Sequence, residues 1–266
     1  MRWIGLASAA SLFLVSTLAA GADSAALPHT SPWVAIIIDD LGVRYSEGQR
    51  AVDLPGPLTY AFLPHTPYTH DLAERAHARG KEVMLHLPMQ SVGGKRLGPG
   101  ALRLDMTPSR LLLTLRTSLD AVPHVSGVNN HMGSLLTRHP GYMEWVMQAL
   151  RCYGELYFVD SRTTASSVAA WAAGEHGVPH TSRDIFLDHV REPAAIEAQL
   201  ATLVKRAHAL GSAIGIGHPY PETLAVLEQH LPQLDGLGVR LVHVSQIIER
   251  QRHDTGAAPW QASLSH

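Results

Sequence analysis

The sequence has little cysteine, no clear excess of charge of either sign and few aromatic residues. Its only cysteine, Cys152, cannot form an internal disulfide. Lys and Arg total 21 against 23 Asp and Glu, a formal net charge of -2. A chain without a basic excess cannot neutralise many phosphates, which argues against nucleic acids or an anionic membrane as partners. No glycine-rich phosphate fingerprint follows the first predicted strand, which argues against a doubly wound nucleotide-binding sheet.

Histidine, in contrast, is abundant. The 266 residues include 17 histidines, and 45% of the residues are hydrophobic. A chain of this length and hydrophobicity can bury a full core without a partner, and we expect one domain of barrel size. Because histidine is the commonest metal ligand and titrates near neutral pH, its excess favours metal or acid–base chemistry.

The N-terminal segment is typical of an export signal. One arginine precedes an apolar run over residues 4–20, and Ala20-Gly21-Ala22 offers a cleavage site of small residues. We therefore predict a signal peptide over residues 1–22, a short tether over 23–31 and a periplasmic or secreted protein. Cleavage would leave no stable membrane span. The alternative is an uncleaved N-terminal anchor.

After residue 31, short apolar runs alternate with helical patterns. This alternation predicts an α/β domain over residues 32–250 with seven or eight parallel strands, and we expect a (β/α) barrel followed by a flexible tail over 251–266. The predicted strands are 34–38, 58–63, 82–87, 125–129, 155–159, 185–187, 212–216 and 240–244. The predicted helices are 69–79, 108–121, 140–150, 165–176, 192–210 and 221–229. A long glycine-containing loop over 90–105 is a candidate rim of the site.

The first predicted strand ends in two adjacent carboxylates. Its uninterrupted run of Val, Ala and Ile suits a strand covered on both faces, and it leads directly into Asp39, Asp40 and Gly42. Ligands collect at the carboxyl ends of parallel strands, and neighbouring carboxylates need compensation there. The alternative is structural, with Asp40 capping the next helix and Asp39 solvated.

Ionisable and polar side chains recur at the other strand ends. Together they predict one shared site, because such groups are costly at one edge of a barrel unless they bind something. They are His65, His86, Asn129, Asn130, His131, Asp160, Arg162, Arg183, Asp188 and His218. Structural alternatives exist for Asp160, which can cap a helix near Thr164, and for Asp188, which can pair with Arg183. The remaining histidines, His189 among them, are predicted to lie at the surface.

Several of these segments resemble the divergent polysaccharide deacetylase family of exported bacterial proteins, over residues 33 to about 248. Ile38-Asp39-Asp40-Leu41-Gly42 resembles the Asp-Asp-Gly motif of polysaccharide deacetylases. The other matching segments are residues 84–89, 98–102, 127–134, 158–164 and 217–223. The resemblance implies a distorted (β/α) barrel and a divalent metal, typically zinc, that serves to remove acetyl groups from a glycan.

The resemblance also implies roles for individual residues. Asp39 would be the general base, and Asp40 a metal ligand. The family's His-x-x-x-His motif is half matched, because His86 is followed four positions later by Gln90, and we expect His131 to supply the missing ligand. His218 would protonate the leaving group.

Further residues complete the predicted site. Asp160 is predicted as a third catalytic residue, and either Asp160 or Asp188 would orient His218. Residues expected to bind substrate are Asn130, Arg162, Asp188 and Tyr220. Asn129 and Asn130 stand where the common deacetylases carry an arginine motif.

Two other functions remain open at this point. A catalytically weak or inactive barrel would use the same polar edge to bind a peptidoglycan-type glycan or an envelope protein. The third function left open is that of a metal-dependent hydrolase that cleaves a different kind of bond. Asp40 and Asp160 could flank a glycosidic bond, although the histidines fit a metal better.

The export signal makes a direct prediction. Because Ala20-Gly21-Ala22 matches the small-residue cleavage pattern, the mature chain should begin within a few residues of Ala22. Intact mass spectrometry of exported protein measures this start. A mass that retains the whole apolar segment would contradict cleavage and indicate an anchor.

Overall fold

The structure is a computed structural model, which describes Met1 and residues 31–254. The predicted signal peptide beyond Met1, the tether up to residue 30 and residues 255–266 of the predicted tail lie outside the described residues. Those assignments therefore stay predictions. Within residues 31–254, no helix combines the length and the apolar character needed to cross a membrane.

The strands form one curled sheet. Along the sheet their order is β6-β5-β4-β3-β2-β1-β8-β7, all neighbours are parallel, and β9 pairs with β1. In chain order, β1 to β9 are Trp33–Leu41, Thr59–Phe62, Glu82–Met89, Val125–Met132, Tyr157–Asp160, His180–Ser182, Ile185–Phe186, Ser212–Gly217 and Arg240–Leu241. The predicted distorted (β/α) barrel with parallel strands is confirmed.

The described residues contain eight α-helices, of which seven lie between strands and α8 follows β9. In chain order, α1 to α8 are Tyr45–Val52, Thr69–Ala78, Pro108–Asp120, Pro140–Tyr153, Ala169–Glu175, Pro193–Leu210, Pro221–His230 and Val244–Asp254. Local sequence sets several ends. Thr107 caps α3 by accepting a hydrogen bond from Arg110 N at 3.3 Å, and Gly211 ends α6 in the left-handed region at φ 84°. Helix α8 runs past the predicted domain boundary at residue 250.

The barrel is distorted at the point where the chain passes from β6 to β7, which are the two edge strands of the sheet. Strands β6 and β7 are separated only by Arg183 and Asp184. Arg183 N donates to Asp160 O at 3.0 Å, on the β5 side, whereas Asp184 N donates to Ile214 O at 2.9 Å, on the β8 side. This two-residue link thus carries the chain from one edge of the sheet to the other, next to the strand ends that form the site.

Helix α1 is not among the predicted helices. Two strands also differ from the sequence-based prediction. Strand β6 was not predicted, because three residues of mixed polarity after Pro179 show no apolar run. The predicted strand 240–244 is only two residues long as β9, and Val244 instead begins α8. Neither difference moves the strands that carry the predicted site.

Strand β1 packs apolar side chains on both faces. Val34, Ile36 and Ile38 join the core between the sheet and the helices, whereas Ala35 and Ile37 join the cluster inside the barrel. All five are fully buried. The uninterrupted apolar run therefore reflects burial on both sides, as expected for a parallel strand.

The interior of the barrel leaves no room at Gly127. A Cβ atom added there would lie 2.2 Å from the buried ring of Tyr157. We expect Gly127→Ala to lower the free energy of unfolding by about 1–3 kcal/mol, because the ring and the strand must shift. Chemical denaturation measures this change. Gly141→Ala is the control, since a Cβ there meets nothing within 4 Å, and equal stability of the two variants would contradict the packing.

Candidate active site

The register of the sheet gathers the predicted site residues at the carboxyl ends of β1, β3, β4 and β8. Ile38 of β1 lies beside Gly217 of β8, so Asp39 and Asp40 emerge next to His218. His86 of β3 is the register partner of Asn129 in β4. Residues from four strands therefore meet at one edge, as the strand-end pattern predicts.

Three donor atoms converge on one point. Asp40 Oδ1 lies 2.9 Å from His131 Nδ1 and 3.1 Å from His86 Nε2, and the two nitrogens are 3.1 Å apart. Zinc bonds of about 2.0–2.1 Å in a tetrahedral site place donor atoms about 3.3 Å apart. Asp40 Oδ1 is also buried with no hydrogen-bond partner among the described residues. The three side chains therefore fit a metal ion, and they are the three predicted ligands.

The charge state of Asp40 suits a ligand. Burial acts to raise the pKa of Asp40, but the close contacts with His131 and His86 and the charges of these imidazoles outweigh it and hold that pKa well below its usual range. Asp40 adopts a left-handed backbone conformation at φ 59°, and the predicted cap of the next helix is not formed, since α1 begins after Arg44 without a side-chain cap. The alternative in which Asp40 caps the next helix is therefore wrong.

Asn129 orients His86 from behind, a role that sequence reasoning missed. Asn129 Nδ2 donates to Asp39 Oδ1 at 2.8 Å, so its Oδ1 accepts a hydrogen bond from His86 Nδ1 at 2.7 Å. The His86 tautomer is thereby fixed with Nε2 toward the three-donor cluster. Burial acts to lower the pKa of His86, yet the charge of Asp39 and the contacts with Asp40 raise it to about 9.

Asp39 lies deeper than Asp40, with 3% of its surface exposed. Burial raises the pKa of Asp39, opposed by the charges of His86 and His218 and by the hydrogen bond from Asn129. A desolvated carboxylate binds a proton more strongly than a solvated one. The buried position excludes the alternative of a solvated Asp39 and is consistent with a proton acceptor.

His218 is held by Asp188. Its ring Nδ1 donates to Asp188 Oδ1 at 3.0 Å, and its backbone N donates to Oδ2 at 2.6 Å. Thr223 Oγ1 also donates to Asp188 Oδ2, at 2.8 Å. His218 Nε2 then faces Asp40 Oδ2 at 3.8 Å. Burial acts to lower the pKa of His218, but the hydrogen bond that its ring donates to Asp188 and the charge of that carboxylate raise it.

Two predicted roles change for physical reasons. The side chain of Asp188 is fully buried behind His218, so it positions that ring and cannot touch substrate, and it does not pair with Arg183. Asp160 accepts hydrogen bonds from Arg162 N at 2.8 Å and Ser167 Oγ at 2.7 Å. Asp160 therefore holds the loop between β5 and α5, and its contacts give it no part in proton transfer.

Gln90 tethers the long loop. Its Oε1 accepts a hydrogen bond from Leu104 N at 2.8 Å, and its backbone N and O bond to Leu102, Leu135 and Leu136. These bonds hold the loop that follows β3. His131, and not Gln90, brings the third donor atom to the cluster with Asp40 and His86.

The predicted substrate-binding residues border two cavities. Asn130 and Arg162 line a cavity of about 570 Å³ together with Asp39, His86, His131 and His218. Tyr220 lines a second cavity of about 410 Å³ that also reaches Asp40. His189, which the sequence placed at the surface, is exposed and borders the first cavity.

Backbone strain is concentrated around these cavities. Five described residues other than glycine have positive φ, and four of them lie at or within three residues of the carboxyl ends of β1, β2, β4 and β5: Asp40, His65, Met132 and Arg162. Such conformations persist where the surrounding structure requires them, and they cluster at functional sites. The strained turns therefore mark the same edge as the polar side chains.

A family model for divergent polysaccharide deacetylases matches residues 36–248. The chain belongs to this family. A relative in the family, the uncharacterized protein YibQ of Escherichia coli, is 36% identical over 229 residues, which cover 86% of this chain and 71% of YibQ. An uncharacterized protein of Haemophilus influenzae is 37% identical over 211 residues, covering 77% of this chain and 75% of the relative.

Solved structures agree with the family fold. The uncharacterized protein ATU2773 of Agrobacterium tumefaciens has a TM-score of 0.79 and 26% identity, covering 82% of this chain and 89% of that one. T48 deacetylase with substrate has a TM-score of 0.51 and 14% identity, covering 87% of this chain and 95% of that one. At that identity the second likeness shows the fold alone.

The contact between Asn129 and His86 makes a prediction. Asn129→Ala removes the acceptor that fixes the His86 tautomer, so zinc affinity should fall by about 10–100-fold. A competition titration with a chromogenic chelator measures the affinity. Gln148→Ala, which removes an exposed amide on α4, should leave it unchanged. Equal zinc affinity of Asn129→Ala and the wild type would show that Asn129 does not position His86.

Proposed function

We propose that this protein is a metal-dependent hydrolase that removes acetyl groups from an envelope or cell-wall glycan. The observation that carries this proposal is the convergence of Asp40 Oδ1, His86 Nε2 and His131 Nδ1 within 2.9–3.1 Å of one another, with Asp39 and His218 beside them. Ligands, a candidate base and a candidate acid thus meet at one edge of the barrel. Family membership supports the same reaction class.

A divalent ion would be held by Asp40, His86 and His131. One carboxylate and two imidazoles favour zinc, and three protein ligands leave a position open for water or substrate. Such an ion, when bound, lowers the pKa of its water and polarises a carbonyl group. Asn129 would keep Nε2 of His86 available for this ion through its bond to Nδ1.

Asp39 would accept the proton of the attacking water. Its carboxylate borders the same cavity as His86 and His131, and its burial strengthens its affinity for a proton. The bond from Asn129 to Oδ1 fixes the carboxylate and leaves Oδ2 for the water. General bases need this combination of position and raised basicity.

His218 would donate the proton to the leaving amine or alcohol. Asp188 holds Nδ1 and stabilises the charged ring, so the proton on Nε2 is the one directed toward the site. Asp39 and His218 lie in different environments, which would make Asp39 the proton acceptor and His218 the proton donor. The buried Asp188 acts by positioning His218.

The site has room for a chain of sugars. The cavities of about 570 Å³ and 410 Å³ lie on two sides of the acidic pair, one bordered by Asp39 and the other by Asp40. This arrangement supports a glycan that continues past the acetylated unit. With the predicted export signal, we propose that the reaction takes place in the periplasm or outside the cell.

Substitutions of two donor residues and of Asp39 separate metal binding from turnover. Asp40→Ala and His131→Ala should each abolish stoichiometric zinc binding, because two donors cannot replace three. Asp39→Asn should keep one zinc per chain but lose deacetylase or esterase turnover. Elemental analysis measures the zinc, and acetate release from acetylated oligosaccharides measures the turnover. His70→Ala, at an exposed imidazole on α2, is the control.

The outcomes distinguish the alternatives. Full zinc occupancy in both Asp40→Ala and His131→Ala would contradict the ligand assignment. Unchanged turnover of Asp39→Asn would remove Asp39 as the base. A zinc-loaded wild type that binds acetylated glycans without releasing acetate would favour the non-catalytic barrel, whereas release of a sugar or phosphate would favour hydrolysis of another bond.

A further inference from the structure

The larger cavity beside the three-donor cluster is rich in cations. Lys95, Arg162 and Arg183 all border it, and they come from the loops after β3 and β5 and from the link between β6 and β7. Among the described residues that line it, Asp39 is the one carboxylate, and it is buried. Three separate segments therefore bring positive charge to one cavity.

None of these three cations forms an ion pair with a carboxylate among residues 31–254. The Arg183 guanidinium donates to two backbone carbonyls, Ser161 O at 2.8 Å and Arg162 O at 3.0 Å. Other arginines of the described chain do pair, as Arg50 with Glu228 and Arg206 with Asp184, each at 2.7 Å. Arg183 is half-buried, whereas Lys95 and Arg162 are exposed. A half-buried cation without a counter-charge is costly, and an anionic ligand would offset this cost at Arg183.

Two buried hydroxyls point to a ligand independently of the charges. Ser91 and Ser161 border the cavity and are only 7% and 6% exposed. Their Oγ atoms have no hydrogen-bond partner among the described residues. Buried polar groups in proteins are nearly always hydrogen-bonded, so these hydroxyls suit a ligand that carries oxygens.

We propose that this cavity binds a carboxylate-bearing sugar unit next to the acetylated one, which makes the protein specific for an acidic glycan. The planar guanidinium groups of Arg162 and Arg183 suit a carboxylate, Lys95 adds a third positive charge, and the two serines bond to sugar oxygens. The inference rests on the proposed function for the position of the acetylated unit. The cations and hydroxyls themselves are independent of catalysis.

Binding tests the inference without relying on turnover. Isothermal titration calorimetry of the zinc-loaded protein compares diacetylchitobiose with the disaccharide of N-acetylglucosamine and N-acetylmuramic acid, which differs by a lactyl carboxylate. We expect the acidic disaccharide to bind about tenfold or more tightly, because hydrogen bonds to charged groups are strong. Its lactyl amide, which keeps the size and loses the charge, should bind like diacetylchitobiose.

Variants assign the preference to the cavity. The double variant Lys95→Gln, Arg162→Gln should lose most of the preference for the carboxylate, whereas Lys205→Gln, at an exposed lysine of α6, should retain it. Equal binding of the acidic and neutral disaccharides would overturn the inference. A preference that survives in the double variant would also overturn it. Tighter binding of a phosphorylated chitobiose than of the carboxylate would assign the cavity to phosphate.

Different outcomes would contradict the acidic-glycan cavity and the hydrolase. Release of acetate from a neutral oligomer without any preference for an acidic one would overturn the inference and leave the hydrolase intact. Preferential binding of the acidic disaccharide without zinc binding or turnover would support the cavity and contradict the hydrolase.

Discussion

The site depends on the contact of one buried carboxylate with two imidazoles. Asp40 Oδ1 lies 2.9 Å from His131 Nδ1 and 3.1 Å from His86 Nε2. Asp39 and Asp40 repel each other and lose hydration at the end of β1, so they need positive charge nearby. The imidazoles of β3, β4 and the β8 end supply it, and the parallel register fixes their distance. The register of the sheet therefore also determines the electrostatics of the site.

A surrounding layer of hydrogen bonds fixes each functional side chain. Asn129 links His86 to Asp39, and Asp188 holds both the ring and the backbone of His218. Gln90 and Asp160 each secure a loop that borders the site. Ring orientation and tautomer follow from these bonds, which hold Asp39 and His218 beside the three donor atoms in a rigid barrel.

Much of this arrangement is predictable from the sequence, because periodicity fixes strand ends and parallel strand ends share one edge. The barrel and the site at the carboxyl ends of β1, β3, β4 and β8 follow from that rule, whereas the choice of Asp40, His86 and His131 as the three donors came from the family resemblance. The role of Asn129 does not, since a hydrogen bond between β3 and β4 depends on register and rotamer. The sequence predicts that Asp160 or Asp188 orients His218, and only the structure identifies Asp188 as the one that does. The short strand β6 is not predictable from periodicity, because it contains no apolar run.

We propose that Asp40, His86 and His131 hold a catalytic metal ion. Anomalous diffraction at the zinc edge, on crystals of the zinc-loaded mature protein, tests this ligand set most directly. We expect one strong peak within bonding distance of Asp40 Oδ1, His86 Nε2 and His131 Nδ1, at about 2.0–2.2 Å from each atom. A zinc-replete crystal with no peak among these atoms would contradict it.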